Sequence, residues 1–412
     1  MRFTGVRKER APLRVGVGLV LLTLSAFFKP FPAAGQNSET AVEDQQTFPL
    51  HYTADGLALR VDLGLEGREV VFTKEPDFGG KQISRGVLQV NSDSAPYIGF
   101  VIDHSSRKLY LDRNHNLDLT DDEPILPIEK AQLDSSDILL FENVLIEVRH
   151  RYTPFTYVLD WTTYPFGMGY VTVRSGWVGT VLLDGAEYRL SIADNMNGRI
   201  DEEDTFLLRP EAEAETLPQQ TPDKVQDKVP ALTDGNVPGQ WLPVPQVLAT
   251  KGKSYLVSFA FQATEKAPVL LATFSDPHLE QGELKIEGQF VSGVVLRGDR
   301  LLALRFPEPV VRIPSGTYAL DKVLLAEGLS SVEPGPQHAS IAVVSDRPAT
   351  LKLGGPLRPT ITVLRLGRRL FLQYELLGIG GERYDPRSAK SPPGFSILRE
   401  GNKIASGTFE YG

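Results

Sequence analysis

Oxygen-bearing side chains recur at alternate positions between Leu111 and Glu123, where the chain reads Leu-Asp-Arg-Asn-His-Asn-Leu-Asp-Leu-Thr-Asp-Asp-Glu. Asp112, Asn114, Asn116, Asp118 and Thr120 take every second place, and a carboxylate follows at Glu123. A backbone that curls through such a stretch brings carboxylates, amide carbonyls and a hydroxyl toward one point. The ion that such a shell accepts is a hard cation ligated by six to eight oxygens, above all Ca²⁺. The chemistry offered is binding; no reaction is spelled out.

The spacing follows the first, third, fifth, seventh, ninth and twelfth positions of a calcium loop, and over about a dozen residues it resembles EF-hand-like and dockerin-type loops. That resemblance implies side-chain ligation by Asp112, Asn114, Asn116 and Glu123. It implies the backbone carbonyl of Asp118, and Thr120 directly or through water. Two residues depart from the pattern: Leu117 stands where glycine is expected at the sixth position, and Pro124 forbids an exiting helix. The competing reading is a metal-free, solvated turn rich in Asn and Asp, which hydrogen-bond their own backbone in such places.

A second stretch imitates the first about 80 residues on. Tyr97-Ile98-Gly99 is echoed by Trp177-Val178-Gly179, and the second copy ends in an acidic run from Ala193 to Asp204, which reads as an internal duplication. Aligned on the first loop, Ala193 falls where Asp112 stands, with Asp194 beside it to slip into that role. Asn195 and Asn197 take the third and fifth places, Gly198 the sixth, Asp201 the ninth and Asp204 the twelfth. The second ligand set is therefore Asp194, Asn195, Asn197, Asp201 and Asp204, the weaker of the two.

The elements that must hold these loops are strands. Tyr97–Ile102 and Lys108–Leu111 flank a turn at Asp103-His104-Ser105-Ser106 and run straight into the first loop. Short apolar or alternating segments recur at 57–63, 70–73, 87–90, 254–262, 269–274, 282–290, 294–296, 301–306 and 317–325. Helical periodicity is scarce, Ile128–Leu133 alone offering a turn or two. The expected class is mainly β and multidomain, built of antiparallel sheets and sandwiches. The expected divisions are a mobile leader over 36–47, a β domain with the duplicated hairpin and acidic loop over 48–210, a Pro-rich linker over 211–239 and a β domain over 240–338. A small immunoglobulin-like sandwich over 339–412 completes the chain, on strand density around turns at Gly367-Arg368 and Gly401-Asn402.

Residues 1–35 read as a signal peptide: a basic start, an uncharged apolar run from Val15 to Phe28, then Ala33-Ala34-Gly35. Export to the periplasm or the extracellular space is the expected location. No later stretch is long and apolar enough for a spanning helix, so no transmembrane segment is expected. Removing residues 1–35 leaves 37 Lys plus Arg against 51 Asp plus Glu and a net charge of −14. Such a surface repels nucleic acid and favours cations. The chain has no cysteine, which excludes disulfides, thiolate metal sites and cysteine nucleophiles together.

Other chemistry is thinner. Tyr152, Phe155, Tyr157, Trp161, Tyr164, Phe166, Tyr170 and Trp177 offer rings for stacking on sugars, although core packing is the stronger reading for aromatics on strands. The six histidines show no helical ligand spacing, and no nucleophile elbow, phosphate loop or dinucleotide fingerprint occurs. Ser105-Ser106-Arg107-Lys108 matches Ser-x-x-Lys inside a turn, and Arg297-Gly298-Asp299 matches an adhesion tripeptide between strands. The loop from Gly380 to Pro393 is a ligand site by topology alone. The expectation is an exported calcium-binding β protein that works as a binding or structural module at the cell surface or periplasm, with a carbohydrate or protein ligand; the sequence leans away from an enzyme without deciding it. The alternative is an extracellular hydrolase of polysaccharide or peptide with structural calcium.

Overall fold

The computed structural model describes residues 45–54, 57, 59–63, 70–78, 82–90, 97–128, 138–149, 154–164, 169–211, 241–262, 268–326, 328–367, 369–385 and 393–409. The expected signal peptide, the linker and most of the 128–133 helical turn lie outside them. The first block of strands is β1 (Gln46–Thr53), β2 (Leu59–Asp62), β3 (Ile83–Gln89), β4 (Tyr97–Asp103), β5 (Lys108–Leu111), β6 (Leu139–Arg149) and β7 (Pro154–Thr163). Next come β8 (Gly169–Val173), β9 (Gly176–Leu183), β10 (Ala186–Ala193), β11 (Thr205–Pro210), β12 (Leu242–Pro243), β13 (Val247–Thr250) and β14 (Lys253–Gln262). The third block is β15 (Val269–Ser275), β16 (Gln281–Glu287), β17 (Val291–Arg297), β18 (Leu301–Arg305), β19 (Val310–Pro314), β20 (Gly316–Leu325) and β21 (Ser331–Glu333). A 3₁₀ turn at Pro336–His338 precedes β22 (Ile341–Val343), β23 (Ala349–Lys352), β24 (Arg358–Leu366), β25 (Arg369–Leu377), β26 (Arg383–Tyr384), β27 (Gly394–Arg399) and β28 (Asn402–Thr408).

The molecule is almost entirely β, in several sheets whose pairings are antiparallel except β13 with β18 and β16 with β23. One twelve-stranded sheet runs β12-β11-β10-β9-β1-β15-β14-β13-β18-β17-β20-β22. Its middle is β1, which pairs β9 on one edge and β15 on the other, Leu50 lying opposite Leu270. The strand that starts inside the expected leader thus joins the blocks on both sides of the 211–239 segment in a single sheet. Leu50 is wholly buried, and this burial, not local propensity, holds the strand there.

Two smaller sheets, β3-β4-β5 and β2-β8-β7-β6, share a core of Ile98, Phe100, Leu109, Tyr157, Leu159 and Trp161. A separate small cluster of Phe72, Val101, Tyr110 and Leu119 fills the far face of β4 and β5. The two faces follow the alternation of the strands, Phe100 and Ile102 inward to one core and Val101 to the other. Segment 70–73 is not a strand; Phe72 and Val70 pack into this second cluster, and Thr73 N–H donates to Leu117 O.

The strands of 339–412 are spread over four sheets. β22 ends the twelve-stranded sheet, β23 joins β19 and β16, β24 to β26 pair with β21, and β27 pairs only β28. Ile341, Val343, Leu351, Leu353 and Tyr384 lie in one core with Leu284, Val294, Leu302 and Val323 of earlier strands, so among the described residues 339–412 shares its core with the preceding block, and a separate immunoglobulin-like sandwich is not shown. In β24 and β25, Ile361, Val363, Leu364, Leu366, Leu370 and Phe371 stay exposed, while Tyr374 meets Phe409 and Leu376 packs on the shared core.

Candidate metal centres

Each acidic stretch is a loop thrown between a hairpin and the strand that returns to it. Leu109 exchanges backbone hydrogen bonds with Ile125, and Ala193 pairs Thr205. Carried inward by one pleat, the first register sets Leu111 opposite Glu123, the counterpart of Ala193 opposite Thr205. The loops 112–122 and 194–204 are therefore equivalent in length. Pro124 precedes a strand-like bridge, with no exiting helix.

Their interiors match as well. In the first, Asn116 N–H donates to Asn114 Oδ1 at 3.1 Å and Asp118 N–H to Asn116 Oδ1 at 2.7 Å. In the second, Asn197 N–H donates to Asn195 Oδ1 at 2.9 Å and Arg199 N–H to Asn197 Oδ1 at 2.9 Å. His115 and Leu117 hold φ of 59° and 62°; Met196 and Gly198 hold 71° and 77°. Left-handed backbone is costly for leucine. At Leu117 it is held by backbone contacts on both sides: its N–H donates to Asp112 Oδ2, and its carbonyl accepts from the N–H and Oγ1 of Thr73.

The carboxylates show a one-residue slip against the alignment by spacing. Asp122 Oδ1 accepts from Arg113 N–H at 3.3 Å, as Asp204 Oδ1 accepts from Asn195 N–H at 2.7 Å. Asp121 takes the amide N–H groups of Asn114 and Asn116, as Glu203 takes those of Asn195 and Asn197. By the strand register Asp204 is the counterpart of Asp122 rather than of Glu123, whereas the matched Asn turns keep Ala193 level with Asp112, with Asp194 beside it accepting from Met196 N–H and Tyr157 Oη. The Gly99 and Gly179 echo does not hold in register either: Gly99 accepts from Asp112 N–H, whereas Gly179 pairs Leu190.

Of the first expected set, Asp112, Asn114 and Asn116 converge with Asp121 and Asp122. Asp112 is buried and accepts from Asn116 and Leu117 N–H. Asp118 turns its side chain away: its carboxylate accepts from Lys74 Nζ at 2.5 Å and from Thr120 N–H and Oγ1. The Lys74 hydrogen bond is the largest cause holding Asp118 down at about 2. Thr120 is engaged with Asp118, and Glu123 is exposed at the neck. Asp122 Oδ2 is buried without a hydrogen-bond partner, and its carboxyl is raised, first by burial and further by the charges of Asp112 and Asp121.

In the second loop Asp194 and Asp204 are both wholly buried. Asp194 accepts from Tyr157 Oη at 2.6 Å and Met196 N–H at 2.6 Å; Asp204 accepts from Asn195 and Asp201 N–H. Both carboxyls are raised, by burial first and by neighbouring carboxylates next, and no basic side chain among the described residues opposes this. Asp201 accepts from Glu203 N–H, and its side chain borders an open cavity of about 450 Å³ shared with Glu202, Glu203 and Phe259. Asp121, Asp122 and Glu203 are the residues that spacing missed; the acidic runs Asp-Asp-Glu and Glu-Glu-Asp held the signal, but only the strand register tells which acid faces in.

Neighbouring elements grip both loops from outside. Leu119 N–H donates to Lys74 O, and Leu119 is wholly buried in the small cluster. Met196 is wholly buried in the larger core, Val244 N–H donates to Asp204 O, and Arg297 pairs Glu202 at 2.8 Å. Arg297 also meets Asp321, so the first residue of the adhesion tripeptide is engaged within the chain. Ser105 and Ser106 donate to Asp103, which makes the Ser-x-x-Lys match part of a turn. Tyr157, Trp161 and Trp177 are wholly buried, Trp161 edge-on to Phe100 at 4.9 Å, so these rings are core and present no face to a sugar. Tyr152 and Phe166 and the side chain of Phe155 lie outside the described residues.

Among the described residues no three His, Cys, Asp or Glu side chains stand together as a ready-made metal group. In both loops the oxygens come from Asn as well as Asp, which suits a hard cation and not zinc. No helix among the described residues is long and apolar enough to cross a membrane. Comparison with protein-family models, with curated proteins and with solved structures finds no match for this chain.

Proposed function

We propose that this is an exported calcium-binding β protein that works as a binding or structural module at the cell surface or in the periplasm, with one Ca²⁺ in each loop. Asp112, Asn114, Asn116, Asp121 and Asp122 would hold the first ion; Asp194, Asn195, Asn197, Glu203 and Asp204 would hold the second. The observation that carries the reading is the uncompensated acid in matched loops: Asp122 Oδ2 buried without a hydrogen-bond partner, and Asp194 and Asp204 buried together with no basic side chain against them, among the described residues. Buried charge without a counter-charge is costly, and a divalent ion removes that cost while adding strong ligation.

The ion's part is structural. Each loop touches a neighbouring element, residues 73–74 in one case and Val244 in the other, so an ion that stiffens the loop fixes these contacts too. Calorimetric titration of the full chain with Ca²⁺, together with melting in calcium and in EDTA, tests this. Heat of binding and a melting point raised by several degrees in calcium are expected, since a site at a hundredfold excess over Kd adds about 2.7 kcal/mol. A chain with no calcium heat and no melting shift ends the proposal.

A further inference from the structure

The outer half of the β24–β25 hairpin, toward its turn, is apolar on both faces and covered on neither among the described residues, whereas nearer its base Tyr374 packs on Phe409 with ring centroids 5.2 Å apart and Leu376 packs against the core. Ile361, Val363, Leu364, Leu366, Leu370 and Phe371 are each between 48% and 58% exposed. Strand alternation puts Ile361 and Val363 on one face, and Leu364 and Leu366 on the other. The register adds Phe371, opposite Leu364, to the second face and Leu370, opposite Arg365, to the first. β24 is also the last strand of its sheet, so its outer backbone is unpaired as well.

This two-sidedness selects the occupant. A second copy that adds a strand along β24 lengthens the sheet and leaves both apolar faces in water. A protein groove covers one face. A lipid interface surrounds the hairpin and takes both. Charge points the same way: the chain as a whole carries −9, yet Arg358, Arg365 and Arg369 lie on this hairpin with a single acid, Glu375, which faces Arg383. Basic residues interleaved with exposed leucine and phenylalanine fit anionic headgroups above an acyl boundary.

We propose that the β24–β25 hairpin is a membrane-docking element that dips its Leu366 end into the interface of an anionic bilayer. It does not cross. An open hairpin would carry unpaired backbone into hydrocarbon, which only helices and closed barrels avoid. Docking therefore stops at the depth where water still reaches the outer edge of β24. The proposal is independent of calcium.

The test is flotation of the full chain with vesicles of phosphatidylcholine alone and of phosphatidylcholine mixed equally with phosphatidylglycerol. Binding to the mixed vesicles that falls with added salt is expected. The double substitution Leu366→Glu with Phe371→Glu should weaken it about tenfold or more, and Arg365→Ser with Arg369→Ser about fivefold or more. In the Leu366→Trp variant, tryptophan emission should shift to the blue and be quenched by lipids brominated near the headgroup. Three results overturn the proposal. One is no binding to either vesicle; another is binding that neither double substitution moves. The third is an oligomer, seen by light scattering, that Leu366→Glu dissociates, for then a second copy covers the hairpin.

Discussion

The two acidic loops share a length, a set of Asx turns and a pair of left-handed residues, and differ in what surrounds their carboxylates. In the first, Asp112 is buried but takes two backbone N–H groups, Asp121 is exposed, Asp122 is half-buried, and Lys74 stands just outside on Asp118. In the second, Asp194 and Asp204 are sealed between Tyr157, Met196 and the return strand, with no cation at hand among the described residues. The same backbone device therefore carries different electrostatic loads. Water at Asp121 screens part of the repulsion in the first loop, whereas in the second the repulsion acts through protein, where an interaction between charges is several times stronger. The first loop should hold its shape without metal; the second should lean on a proton or an ion.

That contrast is broken most directly by pH. The folded carboxyls of Asp194 and Asp204 lie above the unfolded value of about 4, so above that pH the calcium-free folded state holds more protons than the unfolded chain. Its stability must then fall as pH rises from about 4 to about 8. The loss should be several kcal/mol, since the pair titrates together over that range and each pH unit of proton linkage is about 1.4 kcal/mol. Urea unfolding at pH 5 and pH 8 in EDTA measures it. Calcium should flatten the slope by holding both carboxylates ionised at little cost, and Asp204→Asn should flatten it by removing one charge. A slope that survives Asp204→Asn and disappears in Asp122→Asn would reverse the roles assigned to the loops.

How much of this was legible beforehand depends on the range of the interaction that decides it. The Asn and Asp spacing is local, and so are the turns it makes; Asp112, Asn114, Asn116, Asn195 and Asn197 could be read from the chain. The slip from Glu123 to Asp122 could not, because it is set by Leu109 pairing Ile125, and a one-residue change of register turns every side chain over. Membership of sheets was less legible still. β1 lies between β9 and β15, whose paired residues stand more than a hundred positions along the chain from their partners in β1, and no local pattern announces such company. The aromatic run was legible as core because Tyr157, Trp161 and Trp177 sit at inward positions of strands. The separate sandwich expected over 339–412 was illegible for the opposite reason: alternation promises a buried face, and nothing in the pattern says that Ile341, Leu351 and Tyr384 bury theirs in a core shared with earlier strands.

The slip itself can be measured by affinity. Asp122 has a buried oxygen with no partner, while Glu123 is exposed at the neck. Asp122→Asn keeps the shape and removes the charge, and should weaken calcium at the first loop by about tenfold, or about 1.4 kcal/mol. Glu123→Ala should change it less than about twofold, through screened charge alone. Terbium luminescence read in an Asp204→Asn background isolates the first loop. If Glu123→Ala is the damaging substitution, the loop follows the twelve-position spacing after all, and the register argument fails.

The smallest expected effect is the most exacting on geometry. Lys74 sits on Asp118 with its side chain 68% exposed, and pairs of this kind add little to stability. Lys74→Met should therefore leave the melting point where it was. Its effect on calcium at the first loop should be a gain of about twofold, from removing one screened positive charge near the site. The gain has a ceiling because the Asp118 carboxylate faces out, held by Thr120 as well as by Lys74. Were Asp118 a side-chain ligand restrained by Lys74, releasing it would supply a new carboxylate to the ion and the gain would exceed about tenfold. Titration of the two proteins at low and at high salt separates the cases, since only the screened-charge effect fades as salt is added.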